Sequence, residues 1–122
     1  MLVRTPGGVI AQRIASVGED AVATSPVVAG ELRFGALRTG NVALRERVEA
    51  LLTRVPILPL DDAVAIAYAS VRLALERLGT PIGPNDLWIA AHAIADGRAV
   101  VTGNVREFQR VDGLGVEDWR AG

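Results

Sequence analysis

Three polar residues stand where a folding chain would rather place apolar ones: Glu31 in VVAGELRFG, Asp86 in PIGPNDLWIAAHA and Asn104 in AVVTGNVREF. A carboxylate beside buried surface is costly unless something pairs with it. A hard divalent cation such as Mg²⁺ takes oxygen ligands of this kind. Acids gathered from distant parts of a small domain suggest metal-dependent phosphodiester chemistry.

Each residue also has a plainer role open to it. On a helix, Glu31 shares a face with Val27, Val28 and Phe34, so its carboxylate is either ligated or neutralised there. Alternatively it reaches water, or pairs with Arg33 or Arg38. Asp86 falls in a first helical turn after Gly83-Pro84-Asn85, where aspartate caps free N–H groups and complements the dipole. If Asn85 caps instead, Asp86 can face a site. Asn104 lies one glycine beyond the apolar run RAVVT. Ligands of open parallel sheets bind outside the carboxyl ends of strands, but asparagine is equally at home in a turn. Glu107 makes a weaker version of the same case, and the Thr102 hydroxyl could meet a phosphate or a neighbouring acid. His92, four residues from both Trp88 and Asp96, reads as a surface or interface histidine rather than a base. One histidine and no cysteine leave little support for a zinc site or a Ser-His-Asp triad. Gly7-Gly8 lacks the strand and lysine of a phosphate loop.

The elements that must position these residues alternate short β-like runs with amphipathic helices. Residues 8–17 read as a helix and 20–24 as a strand. Ser25-Pro26 supplies an N-cap and a first-position proline for a helix to about Leu37, ending at Thr39-Gly40. Residues 42–54 form the next helix, with Leu44, Val48, Leu51 and Val55 along one side. PILPL (56–60) is a short extended segment broken by prolines. Asp61-Asp62 opens a long helix striped by Val64, Tyr68, Val71, Leu75 and Leu78 and stopped by Gly79. A turn leads into a helix over 85–96, then a strand over 98–102 and a last one near 114–119. This alternation predicts an α/β fold with a mainly parallel sheet and helices on both faces.

A chain of 122 residues, half of them hydrophobic, is one ordered domain spanning 1–122. The absence of cysteine excludes disulfides and suits a reducing cytoplasm. No apolar run approaches a membrane span, and MLVRTPGG lacks the core of a signal peptide. A net charge of −1 gives no overall field for nucleic acid. All 13 basic residues are arginine; base-composition bias explains this, although arginine would also suit phosphate.

Taken together, ATSPVVAGELRFGA, LPLDDAVAIAYASVRLALERLGTPIGPNDLWIAAHA and AVVTGNVREFQRVDGLGVEDW resemble the PIN-domain ribonucleases, most closely the VapC toxins of toxin–antitoxin pairs. The resemblance implies a three-layer α/β/α sandwich, often homodimeric, that binds Mg²⁺ or Mn²⁺, cleaves RNA and is neutralised by a VapB-like antitoxin. It assigns Glu31, Asp86 and Asn104 to the catalytic and metal-binding positions. It also implies an opening strand that ends in an aspartate, a principal metal ligand. Here MLV runs straight into RTPGG and no aspartate precedes Asp20; judged from the length a strand end, turn and helix need, the resemblance implies about ten further residues near positions 3–4. The expected function is therefore a toxin with Mg²⁺-dependent endoribonuclease activity. The alternative is a catalytically impaired binding module that engages antitoxin or RNA without cleavage. The expected geometry is convergence of Glu31, Asp86 and Asn104 within about 10 Å, the reach of a shared ion and its water shell.

Overall fold

The computed structural model describes residues 1–4 and 22–118. The helix expected over 8–17, part of the strand expected over 20–24 and the end of the segment 114–119 lie outside the described residues. The elements are β1 (Leu2–Val3), α1 (Pro26–Thr39), α2 (Val42–Arg54), α3 (Asp62–Leu78), α4 (Pro84–Ala95), β2 (Val100–Val101), α5 (Val105–Phe108) and β3 (Val116–Glu117). The helix boundaries follow local chemistry. Ser25 accepts the Val27 N–H ahead of Pro26, Asn41 accepts that of Leu44, and Asp61 that of Val64. Gly40 and Gly79, at φ 69° and 68°, end α1 and α3 in the left-handed conformation.

The sheet is parallel. Leu2 pairs with Val100 and Val3 with Val101, and β2 pairs in turn with β3. On the other side of β1, Leu2 bridges Ala23 and Thr24 bridges Ile57, both in parallel. The spatial order is therefore Ile57, Ala23–Thr24, β1, β2, β3. The chain winds outward from β1 in one direction, then returns beside it as β2. The boundary between β1 and β2 is the point where winding reverses, where such sheets open a crevice at their carboxyl ends. The segment expected over 56–60 contributes a single bridge at Ile57. Pro56 and Pro59 have no N–H to extend a ladder, and Pro56 serves only as an acceptor for Thr24.

Successive strand residues point to opposite faces, and the core divides accordingly. Leu2 and Val100 join Val28, Val71, Leu75, Leu87, Ile89, Ala90, Ala93 and Phe108 on one face. Val3 and Val101 join Val22 and Val55 on the other, with Leu51 packed alongside. Both faces are covered, as a buried parallel sheet requires. The α1–α2 pair adds its own cluster of Ala29, Ala36, Val48 and Leu52. Between α3 and α4, Tyr68 and Trp88 stack with ring centroids 3.9 Å apart.

Two expectations are corrected. Leu78 does not continue the core stripe of α3 but is exposed, since the helix ends there. His92 is not a surface residue. It is 2 % exposed, on the side of α4 near Leu58, Pro59, Asp61 and Val64, and its Nδ1 has no hydrogen-bond partner among the described residues.

Burial lowers the His92 pKa below its ordinary 6.5, outweighing the opposing pull of Asp96 and Asp61, while Arg98 lowers it further. The unfolded chain then binds a proton more readily than the folded one. The contribution of His92 is fully present above pH 6.5 and is lost as pH falls through the depressed folded value. The urea midpoint should therefore drop between about pH 7.5 and about pH 5.5, and His92→Leu should flatten that part of the curve. Identical profiles for the two proteins would rule this out.

Candidate active site

β1 ends at the reversal point, and the next residue is Arg4, whose N–H donates to the Val101 carbonyl at 2.8 Å. β2 ends beside it, followed by Thr102. The sheet thus delivers Arg4 and Thr102 side by side to the same carboxyl-end crevice. α1 brings Glu31 to it, and the start of α4 brings Asn85 and Asp86.

These side chains close around the Arg4 guanidinium. Nε donates to Asp86 Oδ1 at 2.7 Å, and Nη2 meets Glu31 Oε2 at 2.9 Å. The other Glu31 oxygen, Oε1, accepts from Asn85 Nδ2 at 3.0 Å. The Asp86, Arg4 and Glu31 side chains are 14 %, 25 % and 31 % exposed. At that depth a charge-assisted contact is stronger than on an open surface.

These contacts replace the plainer roles open to the two acids. Arg33 does not pair with Glu31; it makes a two-pronged contact with Glu49. Arg38 instead lies over the Phe34 ring. Phe34 is 63 % exposed, so the apolar stripe expected around Glu31 runs through Val27 and Val28 only. Asp86 is not a cap either. Gly83 is the N-cap residue of α4 and provides no side-chain bond, Pro84 follows it, and Asn85 and Asp86 reach across to α1 and β1.

Asn104 belongs to a second, adjoining group. Its N–H donates to Thr102 Oγ1 at 3.0 Å, and its side-chain amide donates to Glu107 Oε2. Glu107 Oε1 accepts the Gly83 N–H at 2.6 Å, tying this group to the start of α4. The structure thus brings Glu31 and Asp86 together through Arg4, while Asn104 bonds with Glu107 rather than with them. Sequence reasoning passed over two members. Arg4 could have been found as the first residue beyond the opening strand, and Asn85 only by asking what else an unneeded cap residue touches.

As arranged, these residues do not fit a divalent metal ion. Both carboxylates already hold a cation, and among the described residues no group of three His, Asp, Glu or Cys side chains could hold a metal.

Comparison with known proteins places this architecture. Residues 4–114 match the family model described as PIN domain, and the chain belongs to that family. It is 40 % identical over 99 residues to the tRNA(fMet)-specific endonuclease VapC of Salmonella typhimurium, a match covering 78 % of this chain and 73 % of that one. The solved structure of VapBC-1 from nontypeable Haemophilus influenzae superposes with a TM-score of 0.82 at 30 % identity, over 98 % of this chain and 99 % of the other. VapBC-5 of Mycobacterium tuberculosis, described as a member of the VapBC family of toxin–antitoxin systems, superposes with a TM-score of 0.72 at 32 % identity, over 95 % and 94 %. These likenesses make the chain a VapC-type PIN domain. Ribonucleases of this family generally depend on a divalent metal.

The start of α4 has no side-chain cap of its own, so Glu107 supplies the missing acceptor. Glu107→Ala should lower unfolding stability by about 1 kcal/mol, the net worth of a typical hydrogen bond, since solvent screens the charge at this exposed contact, and Glu107→Gln by less. Urea unfolding of the three proteins checks this; unchanged midpoints would show that the contact carries no weight.

Proposed function

We propose that the chain is the toxin of a toxin–antitoxin pair and an endoribonuclease that hydrolyses RNA phosphodiester bonds. The observation that carries this reading is the meeting of Glu31 and Asp86 at the carboxyl end of a PIN-family sheet, at its reversal point. The RNA-cleaving relative supports RNA as substrate, and the toxin–antitoxin neighbour supports a VapB-like antitoxin as partner. Mg²⁺ or Mn²⁺ is the cofactor this reading calls for, with Glu31, Asp86 and Asn104 as the residues assigned to it. No described helix is long and apolar enough to cross a membrane, and we place the protein in the cytoplasm.

We also read the chain as lacking about ten residues near positions 3–4, with the aspartate that ends the opening strand in the family. Arg4 in that position favours a second reading, a catalytically impaired module that binds antitoxin or RNA without cleaving it.

A homodimer completes the proposal. Ile66, Leu73 and Leu78 on α3 are exposed, as are Phe34 and Leu37 on α1, and this exposed apolar surface is what a second copy would cover. Light scattering at micromolar concentration without antitoxin should give twice the monomer mass, and a monomer counts against it.

RNA cleavage provides the functional test. In Mg²⁺ the chain should cleave slowly, and a form with the opening strand and its aspartate restored should cleave faster. Asp86→Asn in that form should reduce the rate on the order of a hundredfold, the cost of misplacing reacting groups by about an ångström. Chelation should silence both forms. Equal rates for the two forms, undiminished by chelator, would sink the ribonuclease reading as stated.

A further inference from the structure

We propose that Arg4 is the resident cation of this site: its guanidinium holds the Glu31 and Asp86 carboxylates closed against a divalent ion, which can load only when the Arg4 side chain leaves. This rests on the ribonuclease reading for the choice of cation and goes beyond it by assigning the site a built-in competitor.

The geometry carries the argument. Arg4 occupies one oxygen of each acid, and Asn85 occupies the second oxygen of Glu31. Only Asp86 Oδ2 is left without a hydrogen bond among the described residues. An arriving ion therefore finds only one oxygen of the pair without a competing donor and meets the guanidinium charge at the others, whereas Mg²⁺ and Mn²⁺ are held by several oxygens at once. Charge points the same way. Two carboxylates and one guanidinium sum to −1, whereas the family pattern, with aspartate at the strand end, places three negative charges there. The position of Arg4 is fixed by the sheet, through the pairing of Val3 with Val101 and the Arg4 N–H on the Val101 carbonyl. The backbone of Arg4 is thus set at the mouth of the site, and its guanidinium is held there by the two carboxylates. Its removal leaves two half-buried carboxylates facing each other without a cation, the arrangement that favours capture of one from solution.

The test is titration of the full chain with Mn²⁺ alone, without RNA, followed by calorimetry. The wild type should bind weakly. Arg4→Gln, which keeps length and polarity but removes the charge, should bind at least about tenfold more tightly, since a like charge within a few ångströms of the ion is gone. Arg4→Gln combined with Asp86→Asn should lose that gain. Circular dichroism establishes that each variant is folded. Should Arg4→Gln not fold, Arg4→Lys keeps the charge on a single-point donor that cannot span both acids in the same way, and it should fall above the wild type in affinity. Equal Mn²⁺ affinity for the wild type and a folded Arg4 variant overturns the proposal. So does micromolar binding by the wild type that Asp86→Asn abolishes, a result that needs no Arg4 variant. The two readings fail separately. A gain in Mn²⁺ binding without RNA cleavage supports the competitor and counts against the ribonuclease. Cleavage with no difference in Mn²⁺ binding does the reverse.

Discussion

The pairing of β1 with β2 is the constraint on which the rest depends. Each strand is two residues long, yet their parallel register does three things at once. It sends Leu2 and Val100 to one layer and Val3 and Val101 to the other, so that a single dipeptide seeds both halves of the core. It marks the reversal of winding. And it sets Arg4 beside Thr102 at the open end of that reversal. A slip of one residue would exchange the two core faces and turn the functional edge away from α1 and α4. Strands this short draw little strength from their own ladder; the helices packed over both faces hold the register.

The same economy governs the site. α4 begins without a side-chain cap, and its first turn is instead secured from outside, by Glu107 on the Gly83 amide and by Arg4 on Asp86. The acids and the helix start therefore share partners. Two polar groups, Glu31 with Arg4, Asn85 and Asp86, and the Gly83 amide with Glu107, Asn104 and Thr102, are joined by the first turn of α4. This explains how Asn104 can adjoin the Glu31–Asp86 pair without touching it: the connection passes through the backbone of α4 rather than through a common ion.

Much of this was legible in the sequence because it is local. Ser25-Pro26, Asp61, Gly40 and Gly79 declare helix ends by their own chemistry, and the stripes of α2 and α3 declare their buried sides. Glu31 and Asp86 were visible as charges set against apolar neighbours. What the sequence hid is what depends on distance along the chain. Phe34 has the right spacing for a core position but lies on the open side of α1, with Arg38 over its ring. His92 looks like a polar interruption in an alanine-rich helix, yet that helix is buried so deeply that the ring is taken in with it. Arg4 and Asp86 are 82 positions apart, and no periodicity links them; only the winding of the sheet does.

The stack of Tyr68 on Trp88 has a consequence of a different kind. Trp88 sits two residues beyond Asp86 in the same helix, with its ring face to face with one from α3, and Tyr68 in turn bonds to Arg72. An indole in this setting emits according to its contact with the neighbouring ring and its shielding from water. Any shift in the first turn of α4, whether from a departing guanidinium, an arriving ion or a bound strand, is passed two residues along a rigid helix to that ring. The chain thus carries its own optical label, placed where the charges of the crevice are read out as light.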